Sequence, residues 1–163
     1  MTASDLAVPP EYERAMRLAL EEAALARETG DIPIGAVVLD PDGRVIGRGR
    51  NTREAEGDPV GHAEVNALRE AARATGAWRL EGCALVATLE PCPMCAGAAL
   101  AAHVATVVFG AWDEKGGAVG SRYDLVRDRR LPARADVYAG VLEEECAALL
   151  TGFFRAELSR PSG

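Results

Sequence analysis

The sequence contains no apolar run near 18 residues, so no membrane-spanning helix is expected. Its first ten residues have neither a basic segment nor an apolar core, so no secretory signal is expected there. Positive charge is in deficit: 18 Lys and Arg stand against 25 Asp and Glu, a net charge of −7. That balance excludes general binding along nucleic acid, which needs a basic surface, but leaves room for a local basic face. There is no internal repeat and no low-complexity block. Cysteines number only four, Cys83, Cys92, Cys95 and Cys146. With nothing pointing to export, the chain is assigned to the reducing cytoplasm, where paired cysteines more often mean metal or catalysis than a disulfide.

What is present is ordinary for a globular protein: 48% hydrophobic and 26% charged residues in a chain of 163. That length suits a single domain, 1–163, with disorder expected at 1–8 and 159–163. A first helix is predicted over 11–28, after Pro9-Pro10, with Met16, Ala19, Leu20, Ala23 and Ala24 at helical spacing and Gly30 as its stop. Residues 34–39 and 44–49 read as a strand pair joined by the turn Pro41-Asp42-Gly43. A polar loop follows over 50–61, where Asp58-Pro59 disfavours continuous helix. A second helix is predicted over 62–75, closed by Gly76, and a third strand over 83–88. Pro91 is expected to open a third helix running through Ala102. A fourth strand over 106–109, a glycine-rich loop over 111–121, a short fifth strand over 136–139 and a last helix over 143–158 complete the chain. Alternating strands and helices imply an α/β fold with helices on both faces of one sheet; the strand order is not legible.

Two segments carry chemistry: His62-Ala63-Glu64 and Pro91-Cys92-Pro93-Met94-Cys95, each at the predicted start of a helix. One imidazole and two thiolates make three protein ligands for zinc, leaving a fourth position for water, as in catalytic sites. Helix N-termini favour thiolate at Cys92 and Cys95, and bound zinc lowers the pKa of its water. Glu64, two residues from a ligand, is placed to move protons without ligating. The competing reading is a closed structural site, which needs a fourth protein donor. His103 lies about 12 Å along the helix from Cys95 at 1.5 Å per residue. Cys83 begins the strand leading into the site and so belongs at its far end, and Cys83 and Cys146 both read as small buried residues. The pattern H-x-E…P-C-x-x-C is the signature of zinc-dependent nucleobase deaminases.

At this point the sequence resembles the bacterial tRNA adenosine deaminases, from about residue 11 to 155. The resemblance is carried by Ile32-Pro33-Ile34-Gly35-Ala36-Val37, by His62 through Leu68, and by Thr88-Leu89-Glu90-Pro91-Cys92-Pro93-Met94-Cys95-Ala96-Gly97-Ala98. Its more specific parts are Val107-Val108-Phe109-Gly110-Ala111 with Asp113, Lys115, Gly117-Ala118 and Gly120-Ser121, and the end of the chain through Phe153-Phe154-Arg155. The resemblance implies the cytidine-deaminase-like fold, a three-layer α/β/α sandwich with a five-stranded mixed sheet. It implies one zinc per subunit on His62, Cys92 and Cys95, Glu64 as general acid–base, and a homodimer. The activity implied is deamination of the wobble adenosine to inosine in the anticodon stem-loop of tRNA. Asn51 matches a residue that holds the flipped nucleotide, and Asp113 an acid beside the substrate strand; their bland alternatives are a turn residue and a solvated loop acid. Phe153-Phe154 reads as core, or as one exposed ring for stacking, with Phe154 the candidate. The sequence departs from many relatives in Leu100-Ala101-Ala102-His103, where a basic residue is common, and in a tail of little net charge. Arg127, Arg129, Arg130, Arg134 and Arg155 are the candidates for phosphate contact, and the cluster 127–130 reads equally as a solvated face. Two other readings stay open: a deaminase of a free base such as guanine or cytosine, and a zinc-folded interaction module without catalysis, for which Glu64 has no use.

Overall fold

The computed structural model describes residues 7–161. Of the ends expected to be disordered, 1–6 and 162–163 lie outside the described residues, while Ser159 caps the last helix. Five α-helices are described, α1 Pro10–Ala26, α2 Arg53–Glu56, α3 Ala63–Thr75, α4 Pro93–Ala101 and α5 Glu143–Leu158, with a 3-10 turn Arg27–Thr29 following α1. The strands are β1 Gly35–Leu39, β2 Val45–Arg50, β3 Ala84–Leu89, β4 Thr106–Ala111 and β5 Asp136–Tyr138. They form one sheet in the order β2-β1-β3-β4-β5. β1 is antiparallel to both β2 and β3, and β3, β4 and β5 run parallel. The sheet is mixed and buried on both faces, which is the three-layer α/β/α sandwich expected.

One face carries α3 and α4 over Val38, Leu85, Val107 and Phe109; the other carries α1 and α5 over Val37, Val86 and Val108. The helices meet the sheet through alanines, among them Ala19 on α1, Ala63 and Ala67 on α3 and Ala99 on α4, so the layers approach closely. At Gly49 the approach is closer still: a Cβ there would overlap the carbonyl oxygen of Ala63. The first turn of α3 is thereby set against the end of β2. Among the described residues no helix is long and apolar enough to cross a membrane.

Two expectations are corrected. Pro93, not Pro91, is the first helical residue of α4, because Cys92 is extended (φ −72°, ψ 173°) and acts as the N-cap. The loop over 50–61 contains the short helix α2. Its first N–H groups are bonded by the buried Asp31 carboxylate, with Glu54 and Ala55 donating at 2.6 and 3.1 Å. That partner is more than twenty residues away, so no local pattern announces the turn.

The topology brings four chain segments to one end of the sheet. Because β1 runs opposite to its neighbours, its start lies beside the ends of β2 and β3; Gly35 pairs with Arg50, and Leu89 of β3 pairs with Ala111 of β4. The segments that enter or leave there are 32–34, 51–53, 89–92 and 112–115, and the candidate site is built from them together with 62–64 at the start of α3 and Leu150 and Phe154 of α5.

Candidate active site

His62 is the N-cap of α3 and Cys92 that of α4, both with extended backbone, and Cys95 lies in the first turn of α4. Neither cap side chain bonds back to its own helix, so imidazole and thiol are free to turn into the gap between the two helix ends. There His62 Nδ1 lies 3.6 Å from Cys92 Sγ and 3.4 Å from Cys95 Sγ. The three donor atoms lie within 4.8 Å of one another and are the only such group among the described residues. A tetrahedral zinc with the usual Zn–S and Zn–N lengths separates N and S ligands by about 3.6 Å. The spacing and the soft donor set therefore fit zinc, with three protein ligands and no fourth.

The other candidate donors are elsewhere. Cys83 and Cys146 are buried on opposite faces of the sheet. His103 lies beyond the far end of α4, stacked against Trp78 with ring centroids 5.7 Å apart. Among the described residues the closed structural site has no fourth donor to close it.

Electrostatics prepares Cys92 in particular for a metal. The Cys95 thiol beside it and then the His62 imidazole hold the Cys92 thiol down at about 4, so Cys92 is a thiolate at neutral pH. Cys95, beside that thiolate and buried, is pushed up. His62 is raised, chiefly by its hydrogen bond with Cys92. Glu64 is 4% exposed, with Oε2 accepting from Cys95 Sγ at 3.4 Å. Burial raises its pKa, against the opposing pull of its own backbone N–H and of His62. A carboxyl displaced toward neutral pH beside a metal site is poised to take and return a proton.

His62, Glu64 and Cys92 line the floor of a cavity of about 600 Å³, with Cys95 fully buried beneath them. Asn51, Asp113 and Phe154, the three substrate-side candidates, all line it. Asn51 Oδ1 accepts from Arg53 N–H at 3.1 Å and its Nδ2 donates to the Ile32 carbonyl at 3.3 Å, so it shapes the turn and keeps further amide capacity for a ligand. Asp113 Oδ1 accepts from the N–H groups of Lys115 and Gly116, both at 3.1 Å, which makes it a loop-forming acid at the cavity wall. Of the two phenylalanines, Phe153 is core and Phe154 is the exposed one, at 49%. Arg127, Arg129, Arg130, Arg134 and Arg155 do not line the cavity. Arg127 and Arg130 are taken by Asp124 and Asp128, at 2.8 and 2.7 Å.

Sequence reasoning missed Glu90 and Trp112. Glu90 is 1% exposed and collects the segment over 113–121: Asp113 N–H donates to Oε1 at 3.1 Å, Val119 and Ser121 N–H to Oε2 at 3.0 Å, and the Ser121 hydroxyl to Oε1. Gly117 lies so close that a Cβ would overlap the carboxylate. The available signal was an acid without a charge partner directly before the metal motif, followed by a glycine-rich loop able to wrap it. Trp112, in the same loop, lines the cavity and is 42% exposed.

An α/β/α sandwich holding one histidine and two cysteines at paired helix starts, with a buried carboxyl beside them, defines a zinc-dependent deaminase. The model of the cytidine and deoxycytidylate deaminase zinc-binding region matches residues 9–111, and the chain belongs to that family. Within it, the chain is 49% identical over 140 residues to the tRNA-specific adenosine deaminase of Bacillus subtilis, covering 86% of each. A solved structure from a study of A-to-I editing by tRNA:A34 deaminases matches with a TM-score of 0.80 at 43% identity, over 84% of this chain and 99% of that one. The guanine deaminase of Nitrosomonas europaea matches with a TM-score of 0.70 at 27% identity, over 91% and 85%.

Proposed function

We propose that this chain hydrolyses the wobble adenosine of tRNA to inosine, binding the anticodon stem-loop as a cytoplasmic homodimer. The observation that carries the reading is the position of Glu64: a buried carboxyl in contact with Cys95, under a cavity with Asn51, Asp113 and Phe154 around it. The likeness to tRNA-specific adenosine deaminases over 86% of the chain supports the choice of substrate.

His62 Nδ1 and the Cys92 and Cys95 sulfurs would hold the zinc, which when bound would supply Lewis-acid activation of a water. Glu64 Oε2 would take a proton from the water that attacks the amine-bearing ring carbon. The same carboxyl would deliver that proton to the adjacent ring nitrogen, then take the second proton from the newly added hydroxyl and pass it to the amine, so that the C–N bond breaks, the carbonyl forms and ammonia leaves. Adenosine and water give inosine and ammonia, and Glu64 ends as it began. Asn51 and Asp113 orient the nucleotide, and the Phe154 ring stacks on a base.

Incubation with an anticodon stem-loop carrying a wobble adenosine is expected to produce inosine. The fold likeness to a guanine deaminase and the acidic charge favour a second reading, a free base as substrate. That reading predicts the reverse: turnover of free guanine or cytosine, independent of salt, and no inosine in the hairpin.

A further inference from the structure

The cavity over Glu64 does not end at the loop. A second, shallower hollow of about 430 Å³ opens beside it, lined by Trp112, Glu114, Gly120, Ser121 and Arg122. Trp112 and Glu114 border both spaces, so the indole stands on the wall between them. The ring is held in place: the fully buried Phe109 meets it edge-on at 4.9 Å between centroids. Gly120, at φ +130°, brings bare backbone to it, and a Cβ there would come within 3.1 Å of the indole. The ring is thus fixed from behind while 42% of the residue stays open. Arg122 is fixed too, with Nε donating to the Glu114 carbonyl at 2.8 Å. Unlike Arg127 and Arg130, it has no carboxylate partner among the described residues.

We propose that Trp112 and Arg122 form a subsite for the nucleotide next to the deaminated adenosine, its base stacked on the indole and its phosphate on the guanidinium. This rests on the reading of RNA as substrate. A rigid aromatic plate and an unpaired guanidinium, side by side, match the two recognisable parts of a nucleotide: a π-face and a phosphate. A free-base deaminase has no use for a second compartment. Drawing a base out of its stack costs free energy that contacts to its neighbours must offset, and a wall shared with the catalytic cavity is where a neighbour arrives. Glu114 is the one acid on the border, so the subsite suits a single phosphate, with stacking as the larger part.

The chain has two tryptophans, and Trp78 lies with His103 at the far end of α4. In a Trp78→Phe background the fluorescence reports Trp112 alone. Titration with the wobble-adenosine stem-loop is expected to quench it. Trp112→Leu keeps the apolar contact with Phe109 and loses the π-face; it is expected to raise the hairpin dissociation constant by roughly 5- to 100-fold, with zinc content and the unfolding midpoint little changed. Trp112→Phe should recover most of the loss. An abasic residue on one side of the adenosine should weaken wild-type binding by a similar factor and weaken Trp112→Leu no further, since coupled partners are not additive. No quenching, or hairpin binding unchanged in Trp112→Leu, overturns the subsite. Absence of inosine with the wild-type protein overturns the functional proposal instead.

Discussion

The floor of the cavity and its rim are built differently. On the floor, His62, Glu64, Cys92 and Cys95 sit at the first turns of two helices whose backs are core: Ala63, Ala67, Ala96 and Ala99 are completely buried. Their positions follow from helix geometry and close helix–sheet packing, with little freedom left. The rim is a loop and a helix end: Trp112, Glu114, Lys115 and Phe154 are all exposed. What stiffens the loop is a set of hydrogen bonds to one carboxylate, Glu90. Chemistry common to a family sits on packed backbone, and recognition of a substrate sits where side chains change without disturbing the core.

The largest effect expected in either region is from Glu64→Gln. Glutamine keeps the shape and the contact with Cys95 but takes no proton. General acid–base catalysis is worth roughly 10²–10⁴-fold, and Glu64 serves several transfers, so single-turnover inosine formation should fall at least that far. Metal analysis should still find one zinc per chain. A rate within tenfold of wild type would place the proton on another group, and the floor would no longer be where the chemistry resides.

Glu90→Gln addresses the rim and should act more weakly. The amide presents a donor where the loop already presents N–H groups, so at least one buried bond is lost and one pair of donors is opposed. Bonds to a charged acceptor contribute about 1.5–3 kcal/mol each, so the unfolding free energy should fall by an amount in that range, with a lower Tm. Hydrogen exchange at the Val119 and Ser121 amides should quicken, and KM for the stem-loop should rise more than kcat falls. Zinc content is expected to hold. Loss of zinc instead would show that the loop and the metal floor are one unit, and the distinction between the regions would fail.

The same distinction governs what was legible in the sequence. The floor lies in two contiguous motifs, with His62 and Glu64 two apart and Cys92 and Cys95 one helical turn apart, so local spacing sufficed. The five strands and α1, α3, α4 and α5 also follow from local periodicity and from the stops at Gly30 and Gly76, both of which take left-handed backbone. Strand order is set by which faces bury each other, and no single segment encodes it. The rim depends on that order: Ile32, Asn51, Glu90 and Trp112 become neighbours only because β1 runs against β3. Asn51 and Asp113 were found through a resemblance. Glu90 acts on residues 23 to 31 positions away, so its place directly before the metal motif hints at a role that only the folded loop makes specific.

The smallest effects should come from the two cysteines outside the floor, and Cys146 is the more informative. It lies in the first turns of α5, its sulfur against Gly110 of β4 with no room for a Cβ between them, and further along the same helix Leu150 and Phe154 reach the cavity. Cys146 therefore seats the helix that carries part of the rim and takes no part in the metal site. Cys146→Ala should leave zinc at one equivalent, and an appreciable loss would merge floor and rim. The substitution also predicts a pH signature. Burial first, and then the Glu145 charge, push the Cys146 thiol up from 9.0 to about 12. Below pH 9 the thiol is protonated in both folded and unfolded chains, and its contribution to stability is complete. Between 9 and 12 the unfolded chain gives up this proton and the folded chain does not, so stability falls as pH rises. Other groups titrate in that range as well, so the telling quantity is the difference between proteins. The fall in Tm from pH 8 to about pH 11 should be shallower in Cys146→Ala than in wild type, even though the variant starts lower for want of the buried sulfur. Equal slopes would mean that the thiol ionises freely, that α5 is seated loosely on β4, and that the rim owes its position to Glu90 alone.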